Sequence, residues 1–240
     1  MSDRPQGDLE SDREHFVLAD SGRLEAMAEF AAGAGHEINN PLATIIGRAQ
    51  LLLKDEQDPQ RRQMLMSIGA QAYRIRDMIG DAMLFGRPPL PELHRIDLTQ
   101  LINQTIDRLA TDFSNDRCTT RLIGSDSAIV NGDGAQLSIV VSELLKNSRQ
   151  ALQPGGGEIE LAISTTTDFA AFEITDHGKG FTEVERRHAF DPFYSGRQAG
   201  RGLGFGLSKC WRIVQQHQGQ ISIRSLPAGP TTVRVELSIA

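Results

Sequence analysis

The amino-acid sequence predicts an all-α helical hairpin, which forms a four-helix bundle in a dimer, followed by an α+β two-layer sandwich. Up to residue 86, apolar residues recur at helical spacing, whereas alternation typical of strands is frequent further on. A proline-rich linker, Gly86-Arg87-Pro88-Pro89, separates the two patterns. We therefore expect a flexible lead-in over 1–20, the hairpin over 21–88 and the sandwich over 89–240.

The hairpin is predicted from two apolar stripes. The first begins at Leu24 and follows a heptad pattern to Leu52. A polar turn at 54–59 ends it, and a second stripe runs from Met64 to Ala82. One hairpin cannot bury both stripes, so two copies should pair. The sequence thus predicts a homodimer.

The segment HEINNP, residues 36–41, lies inside the first predicted helix. It is not the zinc signature H-E-x-x-H, because Asn40 stands where the second histidine would be. His36 lies roughly 200° around the helix from the stripe position Ala34, which places it on the outer face with Asn40 one turn on. Pro41 removes a backbone N–H, so the helix should bend. Considered alone, the segment is more typical of a solvated surface histidine than of a functional one.

The second unit is predicted as a mixed sheet with helices on one face. The predicted strands are 94–98, 118–123, 128–131, 158–164, 169–175, 221–225 and 231–239. The predicted helices are 98–113, 137–152 and 207–216.

Composition excludes several classes of protein. The net charge of -6 argues against a general nucleic-acid binder. No apolar run approaches the length of a membrane span, so we expect no direct membrane insertion, and the N-terminus shows no secretion signal. The two cysteines, Cys118 and Cys210, have no metal-like spacing and indicate a reduced, cytoplasmic location.

Two polar clusters follow predicted elements of the second unit. Glu143 and Asn147 are four residues apart on one helix face, and their oxygen atoms suit a hydrated Mg²⁺ that also binds phosphate. Asp176 directly follows a strand and can accept a hydrogen bond from an exocyclic amine. Gly178 and Gly180 beside it let the backbone approach a flat ring closely.

Two further clusters lie before the last predicted helix. One is Phe190-Asp191-Pro192-Phe193-Tyr194, and the other is the glycine run from Gly200 to Leu207. Glycines before a helix N-terminus expose backbone N–H groups to phosphate. The run is neither the Rossmann fingerprint nor a Walker A sequence. Each cluster alone is compatible with an ordinary turn, loop or solvated helix face.

Taken in order, these segments resemble the catalytic core of a bacterial two-component sensor histidine kinase, from Leu24 to the C-terminus. HEINNPL resembles the phosphoacceptor H box, ELLKNSRQA the N box, DHGKGF the G1 box, FDPFY the F box and GLGFGLS the G2 box. The resemblance is closest to the nitrogen-regulation type. It implies a dimerisation and histidine-phosphotransfer bundle, then an ATP-binding domain of the GHKL type (gyrase, Hsp90, histidine kinase, MutL).

The resemblance also implies residue roles. His36 would be phosphorylated, Glu37 would orient and deprotonate its ring, and Asn40 would hold a water for dephosphorylating a partner. Asn147 and Glu143 would bind Mg²⁺.

Further implied roles concern the nucleotide. Asp176 would accept from the adenine amine beside Gly178 and Gly180. Phe190 and Phe193 would lead into the ATP lid. Arg197 would supply positive charge, because Gln150 stands where many relatives carry lysine. The glycines at 200, 202, 204 and 206 can be aligned with the G2 box in two ways. Counting back from the H-x-G at 217–219 favours Gly202, Gly204 and Gly206.

The implied reaction uses Mg-ATP to phosphorylate His36 and then transfers the phosphoryl group to an aspartate of a response regulator receiver domain. Phosphatase activity toward that regulator is also expected. Two alternatives stay open: a serine kinase of the same ATP-binding superfamily, and a catalytically silent ATP-binding dimer that signals by conformation. HEINNP argues against the first, and the intact nucleotide clusters argue against the second.

Overall fold

The computed structural model describes residues 21–86, 88–124, 127–194 and 204–240. The hairpin consists of α1 (Ser21–Asp55) and α2 (Pro59–Gly86), and α1 continues through Pro41. Asp58 caps α2, because its carboxylate accepts a hydrogen bond from the Arg61 backbone N–H at 2.9 Å. Pro59 takes the first helical position, where the missing N–H is harmless.

The hairpin has a small apolar core of its own. Leu42 and Ile46 of α1 pack against Ala72 of α2. Seven large apolar residues of the hairpin outside this core, five of them stripe positions, have 43–69% of their surface exposed in a single chain: Ile45, Leu51, Leu52, Met64, Met66, Ile68 and Ile75. In the described parts of the chain, no helix combines the length and apolar character needed to cross a bilayer.

The second unit contains a five-stranded sheet with the order β2-β4-β5-β7-β6. β2 and β4 are parallel, and the other neighbours are antiparallel. The strands are β1 (His94–Asp97), β2 (Cys118–Gly124), β3 (Ile129–Gly132), β4 (Gly157–Thr165), β5 (Phe169–Asp176), β6 (Gln220–Ser225) and β7 (Thr231–Ser238). The helices are α3 (Leu98–Asn115), α4 (Gly134–Ala151), α5 (Glu183–Arg187) and α6 (Gly206–Gln216).

The core of this unit lies between the sheet and the helices α3, α4 and α6. Buried residues recur along α4 at the three- and four-residue spacing of one helix face, and they meet the buried face of β4 and β5. Each fully buried large apolar side chain contributes roughly 1.5–3 kcal/mol to folding. The main contributors are Leu137, Val140, Val141, Leu144, Leu145, Ile159, Leu161, Phe172 and Ile174.

This mixed sheet with one helical layer confirms the predicted fold class. Two details differ from the sequence prediction. β1 and β3 pair with each other in a separate two-stranded sheet, because their partner choice depends on contacts that periodicity does not encode. The five-residue helix α5 was not predicted, since it is too short to show a helical period.

Two polar contacts fix the start of α4. The Asp133 backbone N–H donates to Nε2 of the buried His217 at 2.9 Å, and the His217 Nδ1 lies 2.8 Å from the Ile213 carbonyl oxygen. The linker from the hairpin is held here as well, because the Glu92 N–H donates to the Asp133 carboxylate and Gln136 Nε2 donates to the Pro89 carbonyl. The end of α6, the start of α4 and the linker thus meet at one point.

Candidate nucleotide site

A cavity of about 250 Å³ lies where β5 ends and where α4 and the N-terminus of α6 face each other. All four sequence clusters contribute residues to this cavity, although they lie far apart along the chain. Its lining includes Glu143, Asn147, Asp176, Gly180, Gly204 and Gly206. Asp81 of α2 also lines the cavity, so the hairpin approaches it from one side.

Asp176 is the buried anion of the cavity, with 3% of its surface exposed. Its Oδ1 accepts a hydrogen bond from the Gly178 backbone N–H at 3.0 Å. Burial raises the pKa of this carboxyl, although the Gly178 N–H and the Ser148 hydroxyl act in the opposite direction. A fixed acceptor in an apolar surrounding suits an amine donor on a flat ring.

Gly178 and Gly180 bring the chain into close contact with its surroundings. A Cβ on Gly178 would lie 2.6 Å from the Ala151 carbonyl oxygen. Gly180 has a φ of 66°, and a Cβ there would lie 1.9 Å from the Leu226 carbonyl oxygen. Both positions therefore exclude larger residues. Gly178 shapes the turn behind Asp176, whereas Gly180 itself lines the cavity.

On α4, Glu143 and Asn147 point into the cavity together. A Cβ on Gly206 would lie 3.2 Å from Glu143 Oε2 and 3.8 Å from Asn147 Oδ1, so both side chains converge below the α6 N-terminus. Carboxylate and amide oxygens are ligands that Mg²⁺ accepts. Among the residues whose placement is described, no group of three or more His, Cys, Asp and Glu forms a complete metal cage.

Two lysines that the sequence reading did not select contact Glu143. Lys146 Nζ lies 3.3 Å from Glu143 Oε1, and Lys209 Nζ lies 3.5 Å from the same oxygen. Lys209 is buried although it is charged. The sequence spacing could have indicated that Lys209 is buried. Phe205, Lys209 and Ile213 follow one another every four residues and lie on the buried face of α6.

The glycine run enters α6 at the cavity. Gly204 has a φ of 74°, and a Cβ there would lie 2.2 Å from the Tyr194 carbonyl oxygen. The residue before α6, Phe205, makes no side-chain capping hydrogen bond. N–H groups at such a helix start can bind an anion. Gly202 and Arg197 lie outside the described residues.

The aromatic cluster before the glycine run divides between core and surface. Phe190 is buried in the core, whereas Phe193 is 56% exposed and has a φ of 65°. The rings of Phe193 and Phe205 meet edge to face at 4.7 Å between centroids. Within the described chain, neither Phe190 nor Phe193 lines the cavity, whereas the neighbouring Tyr194 does.

The HEINNP segment, residues 36–41, lies on α1, with Glu37 and Asn40 exposed. His36 belongs to this helix, and its side chain lies outside the described part of the structure. The neighbouring Gly35 is packed tightly against Met83 of α2, because a Cβ on Gly35 would lie 2.3 Å from the Met83 sulfur. The segment therefore lies level with residues 81–85 of α2.

Comparison with known families agrees with this geometry. Residues 26–89 match the His Kinase A (phospho-acceptor) domain. Residues 132–240 match the histidine kinase-, DNA gyrase B- and HSP90-like ATPase.

Individual relatives show the same pattern. The sensory histidine kinase/phosphatase NtrB of Salmonella typhimurium is 32% identical over 228 residues, which cover 89% of this chain and 63% of the relative. Sporulation kinase C of Bacillus subtilis is 29% identical over 211 residues, which cover 87% of this chain and 48% of the relative. The chain spans between 30% and 63% of the length of the curated relatives it matches.

Solved structures share the fold at low sequence identity. The full-length ShkA structure in complex with AMPPNP has a TM-score of 0.77 at 18% identity, covering 89% of this chain and 46% of ShkA. The Acinetobacter baumannii histidine kinase AdeS has a TM-score of 0.62 at 16% identity, covering 85% of this chain and 98% of AdeS.

Proposed function

Because this chain is a sensor histidine kinase catalytic core with a GHKL-type ATPase domain, we propose that it phosphorylates His36 from ATP and passes the phosphoryl group to an aspartate of a response regulator. The observation that carries the proposal is the single cavity that unites Asp176, Gly180, Asn147 and Gly206. It lies beside the hairpin that bears the phosphoacceptor segment.

Nucleotide binding uses both ends of the cavity. Asp176 accepts a hydrogen bond from the adenine amine, and Gly180 lets the ring approach the backbone. The phosphates extend toward the N-terminus of α6, where N–H groups and the helix dipole favour negative charge. The proposed contacts of Gly202 and Arg197 with the phosphates rest on the sequence resemblance.

The donor set of α4 fits Mg²⁺, since Glu143 and Asn147 offer two convergent oxygen atoms and phosphate or water can supply the others. When bound, Mg²⁺ neutralises phosphate charge. Lys146 lies beside the same carboxylate and can supply further positive charge in place of the lysine that is absent at Gln150.

In the proposed transfer, a neutral ring nitrogen of His36 attacks the γ-phosphorus with its lone pair. The bond from the γ-phosphorus to the β–γ bridging oxygen breaks, and ADP leaves with that electron pair. Glu37 accepts the proton from the other ring nitrogen. Phosphoryl transfer depends mainly on positioning and charge neutralisation, which the cavity is built to supply.

The hairpin carries the proposed partner contacts. Its exposed stripes fit a second copy of the chain in a four-helix bundle. The exposed face around Glu37 and Asn40 fits a receiver domain, and Asn40 would position a water against the phosphoaspartate of that domain. A cytoplasmic location and the division of the chain at residues 88–89 belong to the same proposal.

Labelling with γ-³²P-ATP tests the proposal. The wild type should acquire a label that is lost in acid and kept in base, as expected for phosphohistidine. His36→Gln should bind ATP with unchanged affinity and remain unlabelled. An acid-stable label would support the serine kinase alternative, and a wild type that binds ATP without acquiring label would support the silent dimer. The matching phosphoacceptor domain favours neither alternative.

A further inference from the structure

Lys209 is a buried cation that links the two units of the chain. Its side chain is 6% exposed, and its Nζ lies 2.6 Å from Oδ1 of Asp81 on α2, 128 positions away in the sequence. The same Nζ lies 3.5 Å from Oε1 of Glu143 on α4. One ammonium group thus contacts the hairpin and the nucleotide cavity together.

A lysine in this position needs its carboxylate partners. Burying an ammonium group without a partner is strongly unfavourable. Burial by itself lowers the pKa of Lys209, but the carboxylates of Glu143 and Asp81 raise it above its ordinary value. Lys209 is therefore charged at neutral pH, and removing Asp81 leaves the buried charge with fewer partners.

The contact lies at the level of the phosphoacceptor segment. A cleft of about 560 Å³ separates the hairpin from the ATPase domain, and its lining includes Asn39, Asp81, Glu143 and Lys209. Asn39 belongs to HEINNP itself. One turn beyond Asp81, Phe85 meets Phe205 at 5.8 Å between ring centroids, which adds an apolar contact to the ionic one.

We propose that Lys209 is a positioning residue that holds the ATPase domain on the phosphoacceptor hairpin through Asp81. By contacting Asp81 and Glu143 at once, it fixes the phosphate end of the nucleotide cavity at the level of His36. The charge-assisted hydrogen bond from Lys209 Nζ to Asp81 Oδ1 joins α6 to α2 at a defined distance. This proposal rests on the proposed kinase function.

Asp81→Asn tests the contact from the hairpin side, where the side chain is 43% exposed and the helix should tolerate the change. We expect autophosphorylation at saturating ATP to slow by about 10- to 100-fold. ATP affinity, measured by calorimetry, should change by less than about threefold. Asp81→Glu should restore much of the rate. Asp77→Asn is the matched control, because Asp77 lies one turn away and pairs with Arg76 of its own helix.

Lys209→Met should slow the reaction similarly. The double variant Lys209→Met/Asp81→Asn should be no slower than the slower single variant, because the two side chains act as one contact. Additive losses would overturn the proposal. So would an unchanged or faster rate in Asp81→Asn, or a loss that appears in ATP affinity instead of rate.

Amide hydrogen exchange tests the contact between Lys209 and Asp81 without any enzymatic assay. In Asp81→Asn, amides of residues 78–86 and 206–213 should exchange faster than in the wild type and in Asp77→Asn. Unchanged exchange would overturn the proposal even if the kinase is active. Faster exchange in a chain that never forms phosphohistidine would support the domain contact and reject the kinase function.

Discussion

Burial holds the pKa of the Asp176 carboxyl above its ordinary value of 3.8, although the Gly178 N–H and the Ser148 hydroxyl oppose this effect. The nucleotide-free protein therefore carries an unfavourable charge at the end of β5. An adenine amine would supply the missing donor when ATP binds. The charge of Asp176 therefore favours ATP binding but lowers the stability of the nucleotide-free protein.

Asp176→Asn should weaken ATP binding by about 10- to 100-fold, because the amide is a poorer acceptor and can present its own N–H to the amine. Calorimetric titration with ATP measures the change. Asp168→Asn is a suitable control, since Asp168 is exposed in a turn. Equal affinities of the wild type and Asp176→Asn would reject the assignment of the adenine end.

The same substitution should stabilise the nucleotide-free protein. Because the pKa of Asp176 is higher in the folded state than in the unfolded state, ionisation costs stability as pH rises through the folded value. This cost disappears below pH 3.8, where both states bind the proton. The Tm of Asp176→Asn should therefore exceed that of the wild type at about pH 7, and the difference should narrow as the pH is lowered toward 3.8. A constant difference would contradict this account.

Asn40 is exposed on α1, four residues after His36. A side-chain amide there can orient a water toward a phosphoaspartate, whereas forward transfer needs no water. Asn40→Ala should slow dephosphorylation of a phosphorylated regulator by about 5- to 150-fold and leave autophosphorylation within a few fold. Asn103→Ala, which removes an exposed amide from α3, is the control. Decay at the wild-type rate would remove this role from Asn40.

At the scale of elements, the site depends on how α4 and α6 are joined. The buried His217 accepts from the Asp133 N–H at the start of α4 and contacts a carbonyl near the end of α6. Asp133 in turn caps α4 through the N–H groups of Ala135 and Gln136. The helix that carries Glu143 and Asn147 is thus held from its first turn.

His217→Ala should lower the free energy of unfolding by about 1–3 kcal/mol, because it leaves the Asp133 N–H without its acceptor inside the fold. Urea unfolding followed by circular dichroism measures the loss. His94→Ala changes an exposed histidine on β1 and should have an effect below about 0.5 kcal/mol. Similar losses in the two variants would show that the buried contact is energetically unimportant.

At the scale of the whole molecule, the apolar stripes of the hairpin leave several large apolar side chains exposed to solvent. Ile45 is 43% exposed and Leu52 is 60% exposed in the single chain. Pairing with a second hairpin would bury both stripes at once. Burial of these side chains in the proposed dimer would stabilise the hairpin.

Ile45→Asp should weaken dimerisation by at least about 100-fold, because the bundle would have to bury an unpaired carboxylate. Sedimentation equilibrium of the wild type and the variant measures it. Val184→Asp makes the same chemical change at a residue that is 63% exposed on α5, and this control should remain dimeric. A wild type that is monomeric at micromolar concentration would reject the bundle.

The sequence by itself determined the hairpin, most element positions and the positions of the four clusters proposed to bind nucleotide. These features are local: apolar periodicity identifies a helix or strand, and turn-forming residues mark its end. For example, α6 was expected over 207–216 and is found at Gly206–Gln216. The order of the clusters along the chain was sufficient to indicate the family.

Only the tertiary structure decided how distant elements meet. It paired β1 with β3 outside the main sheet, turned Phe190 into the core, and placed Lys209 between Asp81 and Glu143. A charged residue in an amphipathic helix is normally expected to face water. Its burial becomes favourable only when carboxylates from two other helices surround it, and their approach depends on packing between segments that are far apart in the sequence.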